Sequence, residues 1–93
     1  MDQLAEMERI IIGSRVRSIL REEFDISHNV SGDARLEDHL HLDILDRAEL
    51  LFFLEEEFGI RTAVVTIRAE MTIDDLVKIV YALLTMNQGS KEK

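Results

Sequence analysis

The 93-residue sequence has no cysteine, no proline and no tryptophan. The lack of cysteine excludes disulfides and thiolate metal sites. No apolar run is long enough to span a bilayer, and the first ten residues lack the basic start and apolar stretch of a secretory signal. We therefore expect a soluble, cytoplasmic protein that does not act at a membrane.

Positive charge is also scarce. The chain has 11 Lys and Arg against 19 Asp and Glu, which gives a net charge of −8. This balance argues against a nucleic-acid binder, which normally presents a basic face to phosphates. Residues 33–57 hold nine acids and only two bases, Arg35 and Arg47, for a local net charge of −7. We expect this region to attract a protein with a basic patch, over a screening length of about 8–10 Å.

The apolar fraction of 46% is enough for one globular core. Apolar residues at helical spacing predict a first helix that ends near Phe24. Leu4, Met7 and Ile11 extend this pattern weakly towards the N-terminus, and Gly13 interrupts it. Residues 25–43 show no sustained period and predict a long loop, with Val30, Leu36 and Leu40 as anchors in the core.

A second helix is predicted after Asp43, whose carboxylate can cap the first turn, and Gly59 is placed to end this helix. We expect its inward stripe to consist of Leu45, Ala48, Leu51, Leu54 and Phe58.

The connection that follows, around residues 64–67, is expected to form a short helix or turn, since one isolated strand would have no partner. The last helix has a clear start, with Thr72 as the cap and two acids in the first turn. The fold class is therefore all-α.

Residues 43–58, DILDRAELLFFLEEEF, resemble the second helix of acyl carrier proteins, which opens with Asp-Ser-Leu-Asp and ends in an acidic run before Phe. The resemblance extends without a gap from Glu37 to Asp74 and, with one deletion in the loop, back to Ile12. It implies a four-helix bundle with three long helices, one short helix and a long loop between the first two. We divide the chain accordingly into an N-terminal extension at 1–11, expected to be helical, a carrier-like domain at 12–86 and a flexible polar tail at 87–93.

In that family, the serine directly after the capping aspartate receives phosphopantetheine from coenzyme A, and its thiol then carries an acyl group. Here this position is Ile44, which has no hydroxyl to form the phosphodiester. Residues 32–61 contain no Ser, Thr or Tyr that could replace it. We therefore expect no cofactor and no catalytic activity. The resemblance then implies a docking or regulatory partner of acyl- or aminoacyl-handling enzymes, such as those of fatty acid or polyketide biosynthesis.

Two alternatives remain open. The chain could be a true carrier that is modified at an atypical site such as Ser31, or one whose serine has been mutated. It could also be a small helical interaction module that shares only the fold.

The family's second helix steers the carrier onto basic patches of enzymes, and here it also carries an apolar stripe of Ile44, Ala48 and Phe52, four residues apart. These side chains either pack in the core or form an exposed patch for a partner protein or a second copy of the chain. The expected docking surface consists of Asp43, Ile44, Asp46, Arg47, Glu49, Phe52, Glu55 and Glu56.

His39 and His41 lie near Asp38 and Asp43, but this spacing matches no recognised metal site, so no metal is expected. His28 beside Ser27 does not indicate a nucleophile pair, because adjacent side chains seldom face each other.

Overall fold

The structure, a computed structural model, describes residues 3–62 and 65–91. It contains three α-helices: α1 at Gln3–Phe24, α2 at Ile44–Phe58 and α3 at Ile73–Lys91. Within the described ranges there is no strand, and a single isolated bridge pairs Arg35 with Thr72. The predicted all-α fold class is confirmed for the described residues.

Helix α1 continues through Gly13 without a break. A Cβ atom at this position would lie 3.7 Å from Cγ2 of Val77, an ordinary van der Waals distance, so α1 and α3 pack closely side by side here. Residues 3–11 of the expected extension belong to this helix, whereas residues 1 and 2 lie outside the described part of the chain.

The loop at residues 25–43 is fixed to the core by apolar side chains and backbone hydrogen bonds. Leu36 is completely buried, and the two other expected anchors, Val30 and Leu40, are partly buried. The amide of Leu36 donates to the carbonyl of Met71 at 2.8 Å. Leu42, only 3% exposed, is a further anchor that the sequence pattern did not reveal. These contacts explain how so long a loop is tolerated in a small domain.

Helix α2 begins and ends where its local signals predicted. Asp43 and Asp46 form a reciprocal capping box, in which each backbone amide donates to the other residue's carboxylate at 3.2 and 2.9 Å. Gly59 ends the helix in the left-handed conformation, with φ of 63°.

The predicted inward stripe of α2 is partly wrong. Leu54 is buried as expected, but Leu45 is 75% exposed and Ala48 is also exposed. Leu50, at 0% exposure, lies in the core instead. Helix α2 is apolar on more than one side, and the positions of α1 and the loop decide which side is covered. The pattern of apolar residues alone therefore does not predict which side of α2 is buried.

Helix α3 begins with a second reciprocal cap, between Thr72 and Asp75. The short fourth helix expected before it is not present in residues 60–62 and 65–72, and residues 63 and 64 lie outside the described chain. This connection bonds to its neighbours instead, since the carbonyls of Ala69 and Met71 accept from loop amides. These hydrogen bonds hold the loop against the connection.

One hydrophobic core joins the three helices, the loop and the connection. No helix in the described ranges combines the length and the apolar character needed to cross a membrane. The largest fully buried side chains are Val16, Leu20, Leu36, Leu50, Leu54, Ile73, Leu76 and Val80.

Candidate docking surface on helix α2

The side of α2 that faces away from the core carries four apolar side chains. Three of them are large and well exposed: Ile44 at 72%, Leu45 at 75% and Phe52 at 54%. Ala48 lies between them and is also exposed. We call this surface, together with the adjacent Glu49 and Glu56, the outer face of α2; its residues are Ile44, Leu45, Ala48, Glu49, Phe52 and Glu56.

The exposure of Ile44 and Phe52 distinguishes between the two interpretations of their spacing. Residues four apart on a helix lie above one another, so Ile44, Ala48 and Phe52 share one side. The buried residues Leu50 and Leu54 lie on another side. The stripe therefore forms a surface patch and not part of the core. Sequence reasoning missed Leu45 as a member, because its apolar character fits the core equally well.

Phe52 is held in place by an aromatic chain that leads towards the core. Its ring packs edge-on against Phe53, with centroids 5.7 Å apart. Phe53 in turn packs edge-on against Phe24 of α1, at 6.0 Å. Such contacts orient an aromatic side chain before any partner arrives, which reduces the entropy lost on binding. Phe52 is therefore the best-prepared anchor on the outer face.

Acidic side chains border this apolar surface. Glu49 and Glu56 are both exposed, and neither forms an ion pair within the described residues. An apolar centre with an acidic border is the complement of a surface that presents apolar groups among lysines or arginines.

Asp43 and Asp46, which we assigned to the docking surface, serve the fold directly. The amide of Asp46 donates to the carboxylate of Asp43, and this bond is the largest of the effects that lower the pKa of Asp43 below its usual value. Both carboxylates are engaged in capping α2, at the end of the helix where negative charge is favourable. Their charge still contributes to the acidic field around the outer face.

Arg47 is turned inward and does not lie on the outer face. Its side chain is only 13% exposed. It donates from Nη1 to the carbonyl of Leu42 at 2.8 Å and from Nε to the carbonyl of Ile67 at 3.2 Å. It also lies 3.4 Å from a carboxylate oxygen of Glu37. This guanidinium joins α2 to the loop and to the connection before α3.

Glu55 is likewise engaged within the fold. Its carboxylate accepts hydrogen bonds from both the hydroxyl and the amide of Thr62, and these two bonds lower its pKa. Thr62 is only 4% exposed. The hydrogen bonds between Glu55 and Thr62 fix the position of the chain just after α2. Of the eight expected docking residues, four remain on the outer face: Ile44, Glu49, Phe52 and Glu56.

The hydroxyls that flank α2 in the sequence are engaged in local structure. Thr62 is buried against Glu55, as described above. Ser31 is exposed in the loop, and its hydroxyl donates to the carboxylate of Asp33 at 2.6 Å. Neither is at the start of α2, where Ile44 occupies the first helical position.

The histidines considered as metal ligands have local roles in the loop. Nδ1 of His39 accepts a hydrogen bond from the amide of Arg35 at 2.7 Å. His41 adopts a positive φ of 60° where the chain turns towards α2. In the ranges that the structure describes, no three His, Cys, Asp or Glu side chains are grouped closely enough to hold a metal ion.

The chain matches no protein-family model and no solved structure. Its resemblance to acyl carrier proteins therefore rests on the residues of the sequence, chiefly those at 43–58.

Proposed function

We propose that this protein is a carrier-like docking module without a prosthetic group. In this proposal the outer face of α2 binds a basic surface on an enzyme that handles acyl or aminoacyl groups. The observation that carries the proposal is the exposure of Ile44, Leu45 and Phe52 on one side of a helix that has a separate buried side.

The size of the apolar patch supports a binding role. A 15-residue helix is about 22 Å long, which suits the short dimension of a standard protein interface. Burying the exposed parts of Ile44, Leu45 and Phe52 contributes on the order of 5 kcal/mol before the cost of association. A fixed aromatic residue at the centre of such a patch is typical of interface anchors.

The distribution of charge supports a basic partner. Glu49 and Glu56 border the patch, and the capping carboxylates of Asp43 and Asp46 lie at its N-terminal end. These groups favour a partner with lysines or arginines and increase the rate of encounter more than the final affinity. We therefore expect association to slow as the salt concentration rises.

The chemistry at position 44 supports a role that does not involve carrying an acyl group. The side chain that the family uses for attachment is replaced here by an exposed hydrocarbon, which adds to the docking surface. A buried Thr62 and a bonded Ser31 are poor substitutes for an exposed serine at the start of the helix.

The test uses coenzyme A and a broad-specificity phosphopantetheinyl transferase, an enzyme that must itself dock on a carrier surface. Intact mass is measured for the wild-type protein and for Ile44→Ser. We expect no change for the wild type and a gain of one phosphopantetheine for Ile44→Ser. Adding Glu49→Lys to Ile44→Ser should slow the modification roughly tenfold, since it reverses a charge on the outer face. Glu6→Lys, on α1, changes the net charge equally and serves as the matched control.

Two outcomes would overturn the proposal. A mass gain by the wild type would identify a working carrier with an atypical site, and fragment sequencing would locate that site. A folded Ile44→Ser variant that is never modified would show that the outer face is not carrier-like, which leaves an interaction module that shares only a helical fold.

A further inference from the structure

The outer face of α2 has the residue spacing at which one helix packs against another. Leu45, Ala48, Glu49 and Phe52 occupy positions i, i+3, i+4 and i+7 of the helix, and all four are exposed. Four residues with this spacing surround one recess on a helix surface, into which a partner helix can insert a single side chain. We call the space between these four residues the recess.

Ala48 allows a partner to approach closely at the recess. Its side chain is a single methyl group, whereas Leu45 and Phe52 on either side of it are large and are 75% and 54% exposed. The edge-on contact with Phe53 holds the ring of Phe52, so this wall of the recess is formed before a partner binds. The distance between two packed helices depends on the side chains at their contact, and a small residue there brings the axes together.

The free acidic groups of the outer face lie along one of its edges. Glu49 and Glu56 are seven residues apart, which places them nearly in line along the helix and about 10 Å from each other. Neither forms an ion pair with another residue of the described chain. On the opposite edge Ile44 is exposed, and the carboxylate of Glu55 is already bonded to Thr62. The face is therefore anionic along one edge and apolar along the other.

We propose that the partner docks through an amphipathic helix that lies along α2. This helix has apolar side chains three and four residues apart and, along one edge, lysines or arginines seven residues apart. One apolar side chain enters the recess over Ala48, and the basic residues pair with Glu49 and Glu56. The proposal rests on the docking function proposed above and identifies the element of the partner that makes the contact.

A basic helix fits this face better than a strand or a second copy of the chain. A strand docks by forming backbone hydrogen bonds with the edge of a sheet, whereas the backbone groups in the middle of α2 are bonded within the helix. A second copy would bring together two chains that each carry a net charge of −8, and it would add carboxylates to a surface that already has them. Lysines or arginines on the partner helix turn this repulsion into attraction.

Fluorescence anisotropy of a labelled synthetic peptide with the full chain tests the proposal. The peptide has 15 residues, the length of α2, and a side-chain staple keeps it helical, because isolated helices of this length are marginally stable in water. It carries leucines at spacings of three and four residues and lysines along both edges of this apolar stripe. A second peptide has glutamines in place of the lysines. We expect the lysine peptide to bind with a Kd of about 10–100 µM and the glutamine peptide to bind roughly tenfold more weakly.

Ala48→Leu distinguishes a fitted helix from a general apolar contact. Filling the recess should weaken binding of the lysine peptide at least about tenfold, although it adds apolar surface. Ala82→Leu makes the same change at an exposed position of α3 and should leave binding unchanged. Glu49→Gln should weaken the lysine peptide roughly threefold without affecting the glutamine peptide. Circular dichroism establishes that each variant is folded.

Two results would overturn the proposal. One is no binding of the lysine peptide up to about 500 µM. The other is an Ala48→Leu variant that binds this peptide as tightly as the wild type or more tightly, which would show that the recess receives no side chain. The transferase assay on Ile44→Ser gives a separate answer: modification without peptide binding would refute only the helical partner. Peptide binding without modification would refute the carrier-like role and leave a face that binds helices.

Discussion

Replacing Arg47 by methionine should destabilise the protein strongly. Methionine keeps most of the apolar stem but removes the guanidinium, which donates to the carbonyls of Leu42 and Ile67. Hydrogen bonds from a charged donor contribute about 1.5–3 kcal/mol each. The ion pair with the half-exposed Glu37 adds little. Because the loop can partly relax towards water, we expect a loss of about 2–4 kcal/mol in the free energy of unfolding.

Urea denaturation followed by circular dichroism measures this loss, and Arg68→Met is the matched control. The side chain of Arg68 is 62% exposed and, among the residues described, bonds only to the equally exposed Glu70. Its replacement should therefore change the free energy of unfolding by less than about 0.5 kcal/mol. A total stability of about 5–14 kcal/mol is ordinary for a domain of this size, so the Arg47→Met effect is easily resolved. Similar values for Arg47→Met and Arg68→Met would refute the reasoning and return Arg47 to the candidate docking residues.

Two further predictions concern the end of α2. The hydrogen bonds from Thr62 lower the pKa of Glu55 below its ordinary value of 4.5, so this carboxylate contributes stability that is present above pH 4.5 and is lost as the pH falls through the lowered pKa. The stability difference between wild type and Glu55→Gln, from urea titrations at pH 7 and pH 3, should therefore shrink at low pH; a difference independent of pH would contradict this. Gly59→Ala should cost about 1–2 kcal/mol in the same assay, because φ is 63° and a Cβ atom there meets nothing within 4 Å, which leaves only the backbone strain. Gly59→Asn should be milder, and an alanine variant as stable as the wild type would show that the chain is not left-handed at this position.

The polar residues in and next to α2 have two roles: some stabilise the fold, and others are exposed on the outer face. Asp43, Asp46, Arg47 and Glu55 each make hydrogen bonds that fix the helix or its neighbours. Exposed carboxylates and hydrocarbon remain on the outer face. Substitutions in the first group should therefore affect binding mainly through folding, whereas substitutions on the outer face should affect binding with the fold intact. Stability measurements beside each binding assay separate the two.

The local signals in the sequence were sufficient to place both ends of α2 and the start of α3. The cap at Asp43, the glycine at position 59 and the cap at Thr72 depend on residues within one turn of the helix end, so neighbouring sequence is enough to predict them. The absence of an attachment hydroxyl at Ile44 is also a property of the sequence, because no fold can supply a missing oxygen atom.

Which side of α2 faces the core was decided only by tertiary structure. This helix has two apolar sides, and either could face the core. The side with Leu50 is buried because α1, the loop and α3 pack around it, whereas Leu45 is exposed to solvent. The same packing determines which charged side chains of α2 are buried and which are exposed. Arg47 reaches the carbonyl of Leu42, which is near in sequence, and the carbonyl of Ile67, which is distant, while Glu49, two residues later, is exposed. Local sequence determines where a helix begins and ends, but the burial of its sides depends on elements that pack against it from elsewhere in the chain.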